Sequence, residues 1–231
     1  MLIAAFPAGP WGTNCYVAAT GAGSECVVID PGHDASSGVA EVVREHRLKP
    51  VAVLLTHGHV DHMWSVTPVA GTYDATAWVH PRDRHLLTDP LAGMSAESRA
   101  MLMGGLLGDG HTFAEPDDVR ELGDGQRLEL AGLTLMIDHT PGHTEGSVTF
   151  RTPYDGRPEV SEVMFSGDLL FKDSIGRTDL PGGDHAAMLR SLATKVLPLA
   201  DDIVVLPGHG DQTSIGRERA ANPFLQDLIT S

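Results

Sequence analysis

Short apolar runs bounded by Gly, Pro, Asn or Asp recur along this chain, and most have the length of strands rather than helices. Val51-Ala52-Val53-Leu54-Leu55, flanked by Pro50 and by polar residues, reads as a buried strand. Residues 15–19 and 26–29 are β-prone and are separated by Gly21-Ala22-Gly23-Ser24, a turn by composition. Val39, Val42 and Val43 recur at helical spacing, so 39–46 reads as a helix leading into the Val51 strand. Residues 63–71 read as a helix, 76–79 as a strand, and 81–87 as a helix with Pro81 in its first turn. Glu121 to Gln126 is a turn before a strand pair at 127–130 and 133–137. Further strands follow at 147–151, 163–165 and 203–206, with a polar surface loop over 152–162. Asp184 is placed to cap a helix over 185–196, with Met188, Leu189, Leu192 and Val196 on one face. A last amphipathic helix spans 214–219, and 222–229 adds a short helical turn.

Polar chemistry concentrates where one of these strands ends. Thr56-His57-Gly58-His59-Val60-Asp61-His62 places three imidazoles and a carboxylate in the loop after the Val51 strand. Neutral imidazole nitrogens and carboxylate oxygens suit zinc and similar divalent ions. Four ligands on one short loop cannot all serve one ion without strain, which sends His57 and His59 to one metal and Asp61 and His62 to another. Each metal then needs donors from later in the chain. His143, Asp168 and His209 each follow an apolar, β-prone run and a glycine, which removes bulk beside the ligand. The repeated order is strand, turn, ligand. Strands interleaved with helices, with ligands from both halves, fit an α/β fold of the αββα sandwich type: two mixed β-sheets face to face, flanked by helices. His33, His46, His80, His85, His111, His139 and His185 read as structural or exposed.

Composition narrows the partners. At 231 residues the chain suits one domain over 1–231, and its apolar share of 42% is that of a globular protein. A formal net charge of −15 argues against a nucleic-acid or anionic-membrane partner. No run reaches the ~20 apolar residues of a membrane span, and residues 1–6 lack a secretory signal. A cytoplasmic location is expected, with Cys15 and Cys26 reduced, although a bridge across a first hairpin is conceivable. The tract from Met94 to Leu107 is rich in Met and Leu. It reads either as a helix packed on the core or as a pliable wall over the active site, with Gly104-Gly105 and Gly108-Asp109-Gly110 permitting movement.

The order HxHxDH, then His143, Asp168 and His209, resembles the ligand signature of the metallo-β-lactamase superfamily. Gly176-Arg177-Thr178-Asp179-Leu180-Pro181-Gly182-Gly183-Asp184 and the tract from Pro207 to Pro223 resemble its glyoxalase II-like (hydroxyacylglutathione hydrolase-like) members, without their C-terminal helical domain. The resemblance implies His57, His59 and His143 on one metal, Asp61, His62 and His209 on a second, and Asp168 bridging. Zinc is the expected ion, with iron or manganese compatible. It also implies that Asp30 supports the metal loop, where the residue alone could equally be a turn former.

Such a pair of ions hydrolyses a substrate by a metal-bound hydroxide, with Asp61 and Asp168 as the catalytic carboxylates. A thioester such as S-D-lactoylglutathione is the expected substrate class, because a thiol with a pKa near ~8.5 leaves without general-acid help. Arg177 is the expected substrate contact, through a carboxylate on the thiol carrier; an Arg177–Asp179 ion pair is the competing expectation. The alternative activity is a mononuclear-iron persulfide dioxygenase, which resembles this pattern but uses only the equivalents of His57, His143 and Asp168.

Overall fold

The computed structural model describes residues 1–105 and 112–230, without the side chains of residues 101 and 103–105. Two six-stranded mixed sheets face each other, with helices on both outer sides. The first sheet runs in chain order: β1 (Leu2–Ala8), β2 (Thr13–Ala19), β3 (Glu25–Ile29), β4 (Lys49–Leu54), β5 (Thr76–Val79) and β6 (Val119–Glu121). Its first three strands are antiparallel and β3 to β6 are parallel. The second sheet contains β7 (Arg127–Leu130), β8 (Leu133–His139), β9 (Val148–Pro153), β10 (Glu162–Gly167), β13 (Val204–Pro207) and β14 (Thr213–Ser214), in the order β14-β13-β10-β9-β8-β7. A two-stranded hairpin, β11 (Leu170–Phe171) and β12 (Ser174–Ile175), leaves the end of β10.

Strand alternation explains why the central runs are apolar throughout. Ala52 and Leu54 point between the sheets to meet Ile137, Phe150 and Phe165, whereas Val53 points outward. There it joins Val39 of α1 (Ala35–His46) and Val66 and Val69 of α3 (Val66–Tyr73). In the second sheet Phe165 faces inward, and Met164 meets Met188, Ile215 and Leu225 on the other side. Those three belong to α5 (His185–Ser191), α6 (Ile215–Ala221) and α7 (Pro223–Thr230). A strand covered on both faces has no polar side to show, so its sequence loses period-two alternation.

Several elements differ from expectation in extent. The helix expected at 63–71 is two pieces, α2 (Val60–Met63) and α3, because Ser65 interrupts them. Its backbone N–H bonds Pro31 and its hydroxyl bonds the Gly32 carbonyl, tying the break to the end of β3. The helix expected at 81–87 is a 3-10 turn, Arg84–Leu87, followed by a second at Pro90–Gly93. α5 is capped by the Asp184 side chain on the Ala187 N–H at 2.9 Å and continues as a π-helical turn, Leu192–Val196. Cys26 pairs in register with Ala19 and Cys15 with Phe6, and both thiols are free and buried.

The tract beginning at Met94 splits between its two readings. Met94 lines a cleft, while Leu102 of α4 (Ala96–Gly105) is buried. The side chains of Met101 and Met103, and residues 106–111 with Leu106, Leu107 and His111, lie outside the described residues. Among the described residues no helix is long and apolar enough to cross a membrane.

Candidate metal centre

β4 delivers the chain to one edge of the sandwich, and the loop after it turns inward. His57, His59 and His62 are all at least 95% buried there. Asp30, at the end of the neighbouring β3, shapes this loop. Its Oδ1 accepts from the Thr56 N–H at 2.8 Å and its Oδ2 from the Thr56 hydroxyl at 2.6 Å. Having given its one proton to Asp30, the hydroxyl receives the His57 Nδ1–H at 3.0 Å. The His62 Nδ1–H also donates to Asp30 Oδ2, at 3.0 Å. Asp30 is therefore no simple turn former: it fixes the tautomer of two histidines and turns both Nε2 lone pairs into the site.

The second sheet supplies the rest. His143 sits in the turn between β8 and β9, and its Nδ1–H donates to the Arg177 carbonyl at 2.7 Å. Asp168 and His209 follow the adjacent parallel strands β10 and β13, and the Gly208 N–H bonds the Gly167 carbonyl at 2.8 Å. β2 reaches across to hold this corner. Asn14 donates to the Pro207 and Gly210 carbonyls, Tyr16 donates its hydroxyl to Pro207 at 2.7 Å, and Thr13 donates to Asp61 Oδ2 at 3.3 Å.

All seven expected residues converge. His57, His59 and His143 can present donor atoms to one point, as can Asp61, His62 and His209, and as can His57, His62 and Asp168. His59 Nδ1 lies 2.8 Å from His143 Nε2, and His62 Nε2 lies 3.3 Å from His209 Nε2. Asp61 Oδ2 is 3.1 Å from His209 Nε2. Asp168 touches both groups, with Oδ2 3.4 Å from His143 Nε2 and Oδ1 3.4 Å from His62 Nε2. Metal–nitrogen bonds of ~2.0–2.1 Å in a tetrahedron set neighbouring donors about 3.3 Å apart; the separations here run from 2.8 to 3.4 Å.

Charge divides the cluster in two. Burial, helped by His62 and His143, holds His57 well below the usual histidine range, and burial with His143 pulls His59 down to about 3. These rings are neutral bases. Burial alone would lower His62 as well, but Asp61 and Asp168, with hydrogen bonds to Asp168 and Asp30, outweigh it and raise His62. Against the raising effect of burial, His62 and then His209 depress Asp61, and His62 depresses Asp168. Protons on such a histidine–carboxylate set are what a cation displaces on binding.

The fit to metal ions rests on what the protein itself leaves unmet. His57 Nε2 and Asp168 Oδ1, both facing the cluster, are buried without a hydrogen-bond partner, a costly state for polar atoms unless another ligand satisfies them. Gly208 keeps the space open: a Cβ there would run into Asp168 Oδ1 and His62. The cluster forms the floor of a cleft of about 480 Å³ walled by Trp11, Met94, Phe171, Ile175 and Leu180. Arg177 lines it too and is the only Arg or Lys among the described lining residues. Its Nε and Nη2 donate to the two oxygens of Asp179, each at 2.7 Å, in a fork-to-fork pair on the surface.

His139 takes no part in the cluster and stacks instead on His80, with ring centroids 4.1 Å apart and planes 7° from parallel. Thr56, bonded to Asp30 and His57, and Asp83, bonded to Gly58, are both buried and carry no role in the sequence reading. The adjacency of Thr56 to His57 was a readable signal. For Asp83 the sequence offers none.

Residues 8–209 match the metallo-beta-lactamase superfamily model, and the chain belongs to that superfamily. Its two facing mixed sheets with outer helices are the superfamily's fold. It is 46% identical to an uncharacterized protein of Mycobacterium tuberculosis over 229 residues, 99% of each chain. It is 34% identical to the hydroxyacylglutathione hydrolase GloC of Haemophilus influenzae over 198 residues, 86% of each chain. Among solved structures, the BLEG-1 B3 metallo-beta-lactamase is 38% identical with a TM-score of 0.79, covering 97% of this chain and 99% of that one. A structure of TTHA1623 in a di-iron-bound form is 37% identical with a TM-score of 0.75, covering 96% and 100%.

Proposed function

We propose that this metallo-hydrolase is a thioesterase acting on a hydroxyacyl thioester of a low-molecular-weight thiol, with S-D-lactoylglutathione as the model substrate. The observation that carries the reading is the convergence of seven His and Asp donors, five of which line an open cleft. His57, His59 and His143 would hold one divalent ion, Asp61, His62 and His209 a second, and Asp168 would contact both. Zinc is the proposed occupant; the di-iron relative keeps iron in view. Bound ions of this kind act as Lewis acids on a carbonyl oxygen and make water nucleophilic near neutral pH.

The chain's own residues do the rest. Asp61, fixed by the Thr13 hydroxyl and kept ionised, orients the attacking water. Asp168 stays a carboxylate among His62, His143 and His209 and balances the charge of both groups. The apolar wall of Trp11, Met94, Phe171, Ile175 and Leu180 packs the carrier and excludes bulk water. Outside the donor cluster, the described lining offers only serines and Arg177 as polar side chains, with no general acid for a poor leaving group. A thiolate leaves unaided. The 34% identity to GloC supports the same class.

Two further features bear on the setting. The net charge of −15 suits a small-molecule substrate rather than a polyanion. Buried free Cys15 and Cys26 suit a reducing cytoplasm.

Hydrolysis of a β-lactam is a second reading, favoured by the 38% identity to BLEG-1. Its amide nitrogen is the poorer leaving group for this cleft. A mononuclear-iron dioxygenase would leave Asp61, His62 and His209 without such work, although their donor atoms stand 3.1–3.5 Å apart. The test is thiol release from S-D-lactoylglutathione and other hydroxyacyl thioesters by zinc-loaded enzyme without oxygen, with β-lactams run alongside. Thiol release that falls about 100-fold or more in His62→Ala is expected. Oxygen uptake with a persulfide and no thioester cleavage, or β-lactam turnover alone, overturns the proposal.

A further inference from the structure

Asp83 lies at the start of the 3-10 turn Arg84–Leu87 and is 1% exposed. No cation pairs with its carboxylate among the described residues; three neutral donors do. Oδ2 accepts from the Gly58 N–H at 2.8 Å and the Thr144 hydroxyl at 2.7 Å, and Oδ1 from the Gly146 N–H at 2.7 Å. Gly58 stands between His57 and His59 on the loop from the first sheet. Thr144 and Gly146 follow His143 on the loop from the second. One side chain thus grips the backbones that carry all three residues of the first metal group, and it does so from an element that supplies none of them.

Both glycines are cut to this contact. A Cβ on Gly146 would lie 2.5 Å from Asp83 Cγ, and one on Gly58 would lie 3.0 Å from the Asp83 carbonyl oxygen and 2.8 Å from Leu86. The grip on the second loop is itself braced, since Thr144 N–H donates to Ser147 Oγ at 3.1 Å and the two hydroxyls lie 2.8 Å apart. Among the described residues, Asp83 makes no side-chain hydrogen bond to Asp61, His62 or His209.

We propose that Asp83 is the positioning residue of the first metal group: a carboxylate clasp that sets the separation of the His57–His59 loop from His143 and leaves the second group untouched. The proposal rests on the two-ion reading above. Asparagine has nearly the shape of aspartate but only one acceptor oxygen, so at least one N–H or O–H would face an NH₂ instead. The first group would open by the resulting shift while the fold stayed intact.

The experiment is competition for zinc against a chromophoric chelator, with Asp83→Asn and the milder Thr144→Val beside the wild type, and thermal unfolding of each metal-free protein as a control. In Asp83→Asn one of the two zinc equivalents should weaken about 10–100-fold, the range for lost outer-shell partners, with the other unchanged; Thr144→Val should weaken the same equivalent less. The spectrum of the cobalt-substituted variant should change in the bands of one site only, a signature that a general loss of stability does not give. Wild-type affinity at both sites in Asp83→Asn, or equal weakening of both, overturns the clasp while leaving the two-ion reading intact. A wild type that holds no zinc overturns both.

Discussion

Asp30 Oδ2 receives the His62 Nδ1–H at 3.0 Å, and the same oxygen takes the Thr56 hydroxyl that in turn receives His57 Nδ1. One carboxylate oxygen therefore orients a histidine of each metal group. It works across the cluster, whereas Asp83 works on one side of it.

Replacing Asp30 by Asn should accordingly weaken both zinc equivalents rather than one. The amide offers a single acceptor oxygen to three donors, and losses of about 10–100-fold per site are expected. Chelator competition on this variant checks it. A biphasic curve in which one equivalent keeps its wild-type affinity would show that Asp30 serves only His62.

Arg177 and Asp179 invite a paired test, because substrate binding and ion pairing predict opposite signs. If the guanidinium contacts a carboxylate of the thiol carrier, Arg177→Ala should raise KM about 3–10-fold with little change in kcat, a contact of roughly 1 kcal/mol made in ground and transition states alike. Asp179→Ala frees the Nε and Nη2 donors now bound to it and should lower KM. Steady-state kinetics of both variants decide. A KM unchanged by either substitution would reduce the pair to a surface bridge, which is worth little to stability.

The His80–His139 stack makes a pH prediction. Burial, with His139 and Arg82 adding repulsion, lowers His80 to about 4. The unfolded chain takes up this proton near its ordinary value of ~6.5, so between about 6.5 and 4 the unfolded state binds more protons than the folded one. Stability must then fall as pH drops through that window, and recover as it rises. Urea titrations should show His80→Gln losing less stability than the wild type from pH 7 to 4.5. The His80 ring resonance should titrate near 4, and a midpoint above 6 would remove the basis for the difference.

The metal loop was readable because its chemistry is written in residue types: no ordinary turn needs His57, His59, Asp61 and His62 together. Glycine before His143 and His209 marked the other turns for the same reason. What escaped was held by geometry. Asp83, in the charged stretch Pro81-Arg82-Asp83-Arg84, looks like a surface residue, and only the folded backbone brings Gly58 and Gly146 to it. β1 and β6 were missed too. β1 is a sheet edge with partly exposed residues, and β6 is three residues long with two of them exposed, so neither carries a strong apolar period. The break between α2 and α3 depends on Ser65 finding Pro31 and Gly32 on a distant segment. Such tertiary partners leave no local pattern.

The donor cluster lies on a seam. His57, His59, Asp61 and His62 come from the first sheet's side and His143, Asp168 and His209 from the second's. With ions held as proposed, the join between His59 and His143 would span 84 positions of chain and that between His62 and His209 would span 147. Each would then behave like a removable cross-link, restricting the unfolded chain most because the loops it closes are long. Neither half alone completes a three-residue ligand group of the proposed assignment, so ion capture would be a late event that waits for the sheets to dock. The loaded chain would come apart at a pace set by ion escape, and a chelator would shorten its lifetime before it altered its shape.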